Sequence, residues 1–266
     1  MEFWSSFNPL FSVSGFFVGL LVGVTGVGGG SLMTPLLVLL FGIHPVTAVG
    51  TDLLYAAITK TVGTAVHGKN KTIDWKIVRL LSFGSLPATA ITLWILSGVD
   101  RRSIGAVQTI TVSLGYVLIV TALLLLFRGK IVAWARYRLR DRKLVDPRNL
   151  AFATIALGLI LGTLVTMTSV GAGAIGVTVL LALYPAMSIR SIVGSDIVHA
   201  VPLTLAGGLG YWLIGEVDWM MLASLLIGSV PGIIVGSHFG PRLPDRIVGI
   251  VLAITLTLVG VKLITA

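Results

Sequence analysis

Two aspartates, Asp52 and Asp196, are the only acidic residues expected within the hydrocarbon region of the membrane, where Lys60 and His199 are the other two charged or titratable residues that we single out. A carboxylate in hydrocarbon is costly unless it is paired, protonated or hydrated, so such a residue usually serves a function. We expect Asp52 and Asp196 to carry a coupling ion or to take part in gating. The alternative is a structural role, in which each stabilises a nearby glycine-rich turn.

Three further residue types, histidine, lysine and proline, could assist ion coupling, anion binding or gating. His199 follows the second aspartate by three residues, so both side chains lie on one helix face. A buried Asp–His pair could act as a proton relay, while a lone histidine in a membrane is more often a hydrogen-bonded packing residue. Lys60 could contact an anion or extend toward the membrane surface. Pro87 and Pro231 each follow a serine by two residues and predict either hinges or static kinks.

Two glycine-rich interruptions, at residues 26–30 and 171–174, favour a binding site made of backbone. Four glycines among residues 26–30 are expected to break a helix. A helix broken at the membrane midplane exposes N–H groups and the positive end of the next helix, which attract an anion, so we expect alternating access around a midplane site. The alternative, close helix packing, applies to Gly15, Gly19 and Gly23.

We therefore expect backbone N–H groups and neutral hydroxyls to hold the substrate. The candidate substrate-binding residues are Thr25, Gly28, Gly29, Gly30, Ser31, Thr51, Lys60, Ser169, Gly171, Gly173 and Ser195. No metal ligands are expected among them.

These residues must be positioned by membrane helices. The chain has 266 residues, of which 56% are hydrophobic and only 11% charged, with a mean hydropathy of +1.02. Soluble proteins carry roughly 25% charged residues, so the composition excludes soluble enzymes and predicts a polytopic membrane protein. Motifs for ATP binding, zinc proteases and nucleophile elbows are absent. We expect a secondary transporter without cofactors, not an enzyme.

Positive charge is concentrated in one segment, because eight of the nineteen Lys and Arg residues lie between Arg128 and Arg148. This clustering predicts a cytoplasmic loop that faces anionic lipid, and it argues against nucleic-acid binding. The apolar segments on either side are of two kinds. Six have the length of a membrane span, near residues 46–66, 77–97, 104–127, 191–213, 219–239 and 247–264. Two longer ones, near residues 10–41 and 150–186, contain the glycine interruptions.

An internal repeat explains this layout. Adding 144 to the residue numbers 25–87 aligns them with the second half without a gap, and 16 of the 63 pairs are identical. Gly50-Thr51-Asp52 falls on Gly194-Ser195-Asp196, and Pro87 falls on Pro231. We divide the chain into a first repeat (1–127), a basic cytoplasmic connecting loop (128–148) and a second repeat (149–266).

The charges of equivalent loops indicate that the two halves are inverted in the membrane. Residues 67–76 carry three lysines, whereas residues 211–220 carry two acids and no base. The predicted fold is an all-α polytopic membrane protein with two inverted repeats. Each repeat has a glycine-broken, re-entrant helix pair followed by three transmembrane helices.

The sequence also resembles a known family. The segment GVTGVGGG at residues 23–30, then Pro35 and Gly50-Thr51-Asp52, with a weaker copy after the basic segment, is similar to the TauE/SafE sulfite exporter family. The resemblance implies export of sulfur-containing anions, such as sulfite, sulfoacetate or other organosulfonates, across the cytoplasmic membrane of a prokaryote. The expected partners are this anion and membrane lipid, and a homodimer stays open. The alternative is a Na⁺- or H⁺-coupled transporter of another solute, with ion sites at Asp52 and Asp196.

Overall fold

The computed structural model describes residues 9–25, 30–69, 72–100, 103–140, 147–239 and 245–265. These residues form ten helices and no strand, which confirms the all-α prediction. The helices are α1 Pro9–Thr25, α2 Gly30–Phe41, α3 Pro45–Lys69, α4 Trp75–Ser97, α5 Ile104–Arg140, α6 Pro147–Thr168, α7 Ala174–Leu183, α8 Ile189–Leu213, α9 Trp219–Phe239 and α10 Asp245–Thr265.

Helix α5 extends well beyond the predicted span 104–127. It has 37 residues and is about 55 Å long at 1.5 Å per residue. Its last thirteen residues, 128–140, are helical where the sequence analysis predicted a loop. Because this part contains arginine, alanine and leucine, with one glycine near its start, its local propensity supports continued helix.

Five of the described helices contain a segment long and apolar enough to cross a membrane. These segments are Trp75–Ser97, Ile104–Trp134, Pro147–Thr168, Ile189–Leu213 and Trp219–Gly236. Helix α6 was predicted as one arm of a re-entrant pair, yet its 22 residues reach about 33 Å, the thickness of a bilayer core. Only the arm after the break, α7 with 10 residues, is short. The length of α6 argues against a break at the midplane.

The helices of the two repeats are interleaved. Helix α1 of the first repeat packs most extensively against α9 of the second, and α4 packs in the same way against α6. These two pairs are equivalent, because α6 and α9 lie 144 residues after α1 and α4 and are their counterparts in the second repeat. Glycines form both contacts: Gly19 lies against the Ser229 backbone, as close packing predicts, and Gly158 lies against the carbonyl of Leu81.

The equivalent helices α3 and α8 run antiparallel to each other. In the central pair, Gly50 of α3 packs against Tyr211 of α8, whereas Leu53 packs against Gly207. As residue numbers rise along α3, those of the facing residues on α8 therefore fall. Helices α5 and α10 also pack against each other. Antiparallel equivalents are what inverted halves require, while their orientation across the bilayer stays a prediction.

Candidate functional site

Asp52 lies fully buried on α3 and binds the beginning of α2. Its Oδ2 accepts hydrogen bonds from the backbone N–H of Thr34 at 3.1 Å and from the Thr34 hydroxyl at 2.6 Å. Thr34 is the fifth residue of α2, near the positive end of that helix. One carboxylate oxygen is thus satisfied by the N-terminal part of the helix that follows the glycine-rich sequence of the first repeat.

The second break lies next to the Asp52 carboxylate. Oδ1 has no hydrogen-bond partner among the described residues, and the Ser169 hydroxyl, also unpartnered, lies next to the carboxylate. Ser169 follows the last residue of α6 and has a φ of 58°, a backbone conformation that few residues other than glycine adopt. The turn therefore brings the C-terminal end of α6 toward the carboxylate of the first repeat.

Two more hydroxyls extend this group of oxygens. Tyr55 lies one turn after Asp52 on α3, and the two interact electrostatically. Ser229 of α9 lies beside Tyr55, and neither hydroxyl has a hydrogen-bond partner among the described residues. We call the group of Thr34, Asp52, Tyr55, Ser169 and Ser229 the first polar cluster.

A second polar cluster contains the equivalent residues of the other repeat. Asp196 is buried on α8 and lies so close to α7 that a Cβ at Gly176 would meet its Oδ1. His199 lies one turn later, and its Nε2 is 2.8 Å from the Ser85 hydroxyl of α4. Lys60 interacts with Asp196 more strongly than with Asp52. We define the second polar cluster as Lys60, Ser85, Thr178, Asp196 and His199.

The two clusters differ at three equivalent positions. Thr34 binds Asp52, whereas the hydroxyl of its equivalent, Thr178, has no hydrogen-bond partner among the described residues. Tyr55 of the first cluster is replaced by His199 in the second. Lys60, which neighbours Asp196, corresponds to Thr204 in the second repeat. The repeat therefore preserves two carboxylates, while Lys60, which interacts with both and more strongly with Asp196, has no lysine as its equivalent.

Thr51 and Ser195, both predicted to bind substrate, contact loop backbone in the structure. The Thr51 hydroxyl accepts the backbone N–H of Asp218 at 3.1 Å, and the Ser195 hydroxyl accepts that of Asp74 at 2.8 Å. These bonds attach α3 to the beginning of α9, and α8 to the beginning of α4. The sequence could have suggested this pairing, because both pairs are related by the same offset of 144.

The packing of α3 against α8 separates the two aspartates along the helix pair. Facing residues of α3 and α8, such as Leu53 and Gly207, have numbers that add to about 260, so Asp196 lies opposite a residue near position 64. Twelve residues of helix separate that position from Asp52, a distance of about 18 Å. The structure does not bring the two carboxylates into one site.

The second break presents unpaired backbone donors. The N–H groups of Ile175 and Gly176 both bind the carbonyl of Gly171. The four preceding N–H groups, at residues 171–174, have no acceptor among the described residues. Gly171 has a φ of 115°, which explains why glycine is needed there. Gly171 and Gly173 therefore lie where an anion could be bound by backbone.

Several predicted residues cannot be placed in the same way. Gly28 and Gly29 lie outside the described residues. Helix α1 ends at Thr25 and α2 begins at Gly30, while the side chains of Thr25 and Ser31 are outside the described set. Their roles stay predictions.

The prolines lie within continuous helices. Pro87 of α4 and Pro231 of α9 are exposed at equivalent positions. The sequence analysis did not single out Pro202, which lies inside α8, three residues after His199. Its equivalent is Ile58, so the repeat gave no signal for it. No group of three or more His, Asp or Glu that could hold a metal occurs among the residues that the structure describes.

Comparisons with known proteins agree on the class of this chain. Residues 11–263 match the family described as Sulfite exporter TauE/SafE. The chain is 40% identical over 250 residues to the probable membrane transporter protein YjnA of Bacillus subtilis. The aligned region covers 94% of this chain and 97% of YjnA. It is 28% identical to a probable membrane transporter protein of Methanocaldococcus jannaschii, over 90% of this chain and 87% of that one. No solved structure matches it.

Proposed function

This chain belongs to the TauE/SafE sulfite exporter family, and from that premise we propose that it exports a small sulfur-containing anion across the cytoplasmic membrane. It is a membrane transporter and not an enzyme, as its family and relatives show. Sulfite, sulfoacetate and other organosulfonates are the substrates we favour. The substrate site would open alternately to each side of the membrane and so carry the anion across.

The observation that carries this proposal is the row of unpaired N–H groups at residues 171–174. They precede α7, whose N-terminus bears a partial positive charge. Tetrahedral and pyramidal oxyanions accept several such hydrogen bonds at once. Backbone donors recognise the oxyanion group and tolerate different substituents, which suits a class of sulfonates.

When protonated, Lys60 would add a positive charge to this region. It interacts with Asp196, and Asp196 lies against α7 at Gly176. An anion bound at residues 171–174 would therefore lie near an ammonium that is partly screened by a carboxylate. We propose that substrate and Asp196 share Lys60, so that binding is reversible.

Counterflow into liposomes tests the substrate class. Liposomes that contain the purified protein are loaded with a labelled sulfonate. They are then diluted into sulfite, sulfoacetate, taurine, thiosulfate, sulfate or chloride. We expect one or two sulfur oxyanions to stimulate exchange. Lys60→Met should raise the KM for that anion about tenfold or more, as loss of a charged contact worth at least 1.4 kcal/mol would. Lys262→Met, an exposed lysine near the end of α10, should leave the KM unchanged.

The second candidate is a cation-coupled transporter of another solute. It is favoured by the unpartnered Oδ1 of Asp52, an oxygen that a coupling ion could bind. Silence across the anion panel, with protein shown to be folded by its melting transition, would contradict the anion proposal and favour this one.

A further inference from the structure

We propose that two equivalent hydrogen bonds between helices form in turn when the transporter changes conformation. The first, which we call the α4–α8 bond, joins Ser85 of α4 to His199 of α8. The second, the α9–α3 bond, would join the residues that the offset of 144 makes equivalent to these, Ser229 of α9 and Tyr55 of α3. The inference rests on the alternating access of the proposed function, because these bonds would distinguish its two states.

The α4–α8 bond is formed in this structure. His199 Nε2 lies 2.8 Å from the Ser85 hydroxyl, and both residues are fully buried. A buried polar group that loses its partner is costly, because no water replaces that partner. The bond therefore holds α4 and α8 together in the present conformation.

The α9–α3 bond is not formed, although its two helices are in contact. Tyr55 belongs to the same buried apolar cluster as Leu222 and Leu225 of α9, and Ser229 lies one turn after Leu225. The hydroxyls of Tyr55 and Ser229 are both buried, and neither has a hydrogen-bond partner among the described residues. Buried hydroxyls without partners are uncommon, so a conformation that joins these two would remove a cost.

The links between the same helices and the neighbouring loops do not differ in this way. On one side the Thr51 hydroxyl of α3 accepts the N–H of Asp218, which precedes α9. On the other side the Ser195 hydroxyl of α8 accepts the N–H of Asp74, which precedes α4. The two sides of the molecule thus share their loop links and differ in the bond between the helices. This is expected if the loop links act as pivots and the interhelical bond is the part that changes.

Close backbone packing indicates which helices would move together. Glycines bring α1 against the backbone of Ser229 and α6 against that of Ser85. Each serine therefore belongs to a tightly packed pair, α1–α9 or α4–α6, whereas Tyr55 and His199 belong to the central pair α3–α8. A tilt of the central pair away from α4 and toward α9 would break one bond and form the other. Transporters with inverted repeats alternate through such rocking of helix groups.

Fluorine NMR of protein labelled with 3-fluorotyrosine detects the state of the Tyr55 hydroxyl without any substrate. The chain has five tyrosines, so the loss of one resonance in Tyr55→Phe assigns position 55. In the purified, detergent-solubilised protein we expect a free and a bonded form, measured from two resonances or from their averaged position. Ser85→Ala should raise the ratio of bonded to free Tyr55 about tenfold, because it removes the competing bond. Ser229→Ala should leave only the free form.

Thr92→Val is the matched control for a change on α4. The Thr92 hydroxyl is buried on that helix, but it bonds within the helix, to the Ala88 carbonyl at 2.8 Å. This variant should leave the Tyr55 spectrum unchanged. An unchanged Tyr55 spectrum in folded Ser85→Ala, or an equal change in Thr92→Val, would overturn the alternation.

Nitrogen NMR of labelled histidine tests the same exchange from the other side and does not require Ser85→Ala to fold. The chain has four histidines, and His199→Gln assigns the ring of interest. Ser229→Ala should remove the form of His199 that is not bonded to Ser85, because the conformation that competes with the α4–α8 bond loses its own bond. A His199 spectrum that is the same with and without Ser229→Ala would overturn the inference.

The outcomes separate this inference from the proposed substrate. A Tyr55 spectrum that responds to Ser85→Ala, together with counterflow that no anion stimulates, would sustain the alternating bonds and remove the anion proposal. Anion counterflow together with a Tyr55 spectrum that ignores Ser85→Ala would do the reverse.

Discussion

The threonines at positions 34 and 178 show how one residue type takes two roles in the two repeats. Thr34 donates two hydrogen bonds to the buried carboxylate of Asp52. Thr178 is equally buried, but its hydroxyl has no partner among the described residues. A hydrogen bond to a charged group contributes about 1.5–3 kcal/mol, whereas an unbonded hydroxyl contributes none.

Replacing each threonine by the isosteric valine should therefore have unequal effects. Thr34→Val should lower the free energy of unfolding by about 1–3 kcal/mol, because the Asp52 carboxylate loses a buried donor. Thr178→Val should be neutral or slightly stabilising. The shift in melting temperature, measured in the same detergent and salt, compares the two. Equal shifts would mean that the hydrogen bond to Asp52 does not stabilise the fold.

At this scale the sequence singles out the two acids that the structure buries, and their functional role stays a prediction, whereas their neighbours could not be predicted. Asp52 and Asp196 could be recognised because each is an isolated charge in an apolar helix. Their partners depend on which helices pack together, and Ser169 is far from Asp52 in sequence. For the same reason the sequence could not predict that the Thr51 hydroxyl accepts the N–H of Asp218.

Among the helices, the closest contacts are made by glycines between the two repeats. Gly228 of α9 faces the carbonyl of Ser12 of α1, and Gly158 of α6 faces that of Leu81 of α4. A methyl group at either glycine would have to displace backbone. Gly105, in the first turn of α5, has no atom within 4 Å of the position of a Cβ.

We expect Gly228→Ala and Gly158→Ala each to destabilise the protein by about 1–3 kcal/mol, because the helix pairs must move apart. Gly105→Ala should instead be stabilising by up to about 1 kcal/mol, since alanine is the better helix former. Thermal melting of the three variants gives the comparison. If all three behave alike, helix propensity rather than close packing decides the effect.

Hydropathy could predict most helices because apolar runs of span length are direct signals of membrane helices. It could not predict the length of α5, whose basic end is helical through local propensity. Nor could it predict that α1 packs on α9 rather than within its own repeat. Glycine spacing indicated that α1 packs closely against another helix, but it could not identify which of the glycine-rich helices that partner is.

In the whole molecule the helices of the two repeats are interleaved, so the two repeats cannot separate as two bodies. Helices α1 and α4 of the first repeat have their largest contacts with α9 and α6 of the second. Any alternating access must therefore move units that contain helices from both repeats. The central antiparallel pair of α3 and α8 carries both aspartates, about 18 Å apart along the pair.

The antiparallel directions of α3 and α8 also decide how the molecule should lie in the bilayer. Trp75 and Trp219 are equivalent residues at the beginnings of α4 and α9, and they are 59% and 52% exposed. The native chain has no cysteine, so single substitutions at these positions can be labelled without background. In an inverted arrangement the two positions face opposite sides of the membrane.

We expect a membrane-impermeant maleimide to label Trp75→Cys only in inside-out vesicles, because basic residues 67–76 favour the cytoplasmic side. Trp219→Cys should be labelled in intact cells. A permeant maleimide should label both variants, which controls for reactivity. Labelling of both from one side would establish parallel repeats, and α3 and α8 could not then both cross the membrane as antiparallel neighbours.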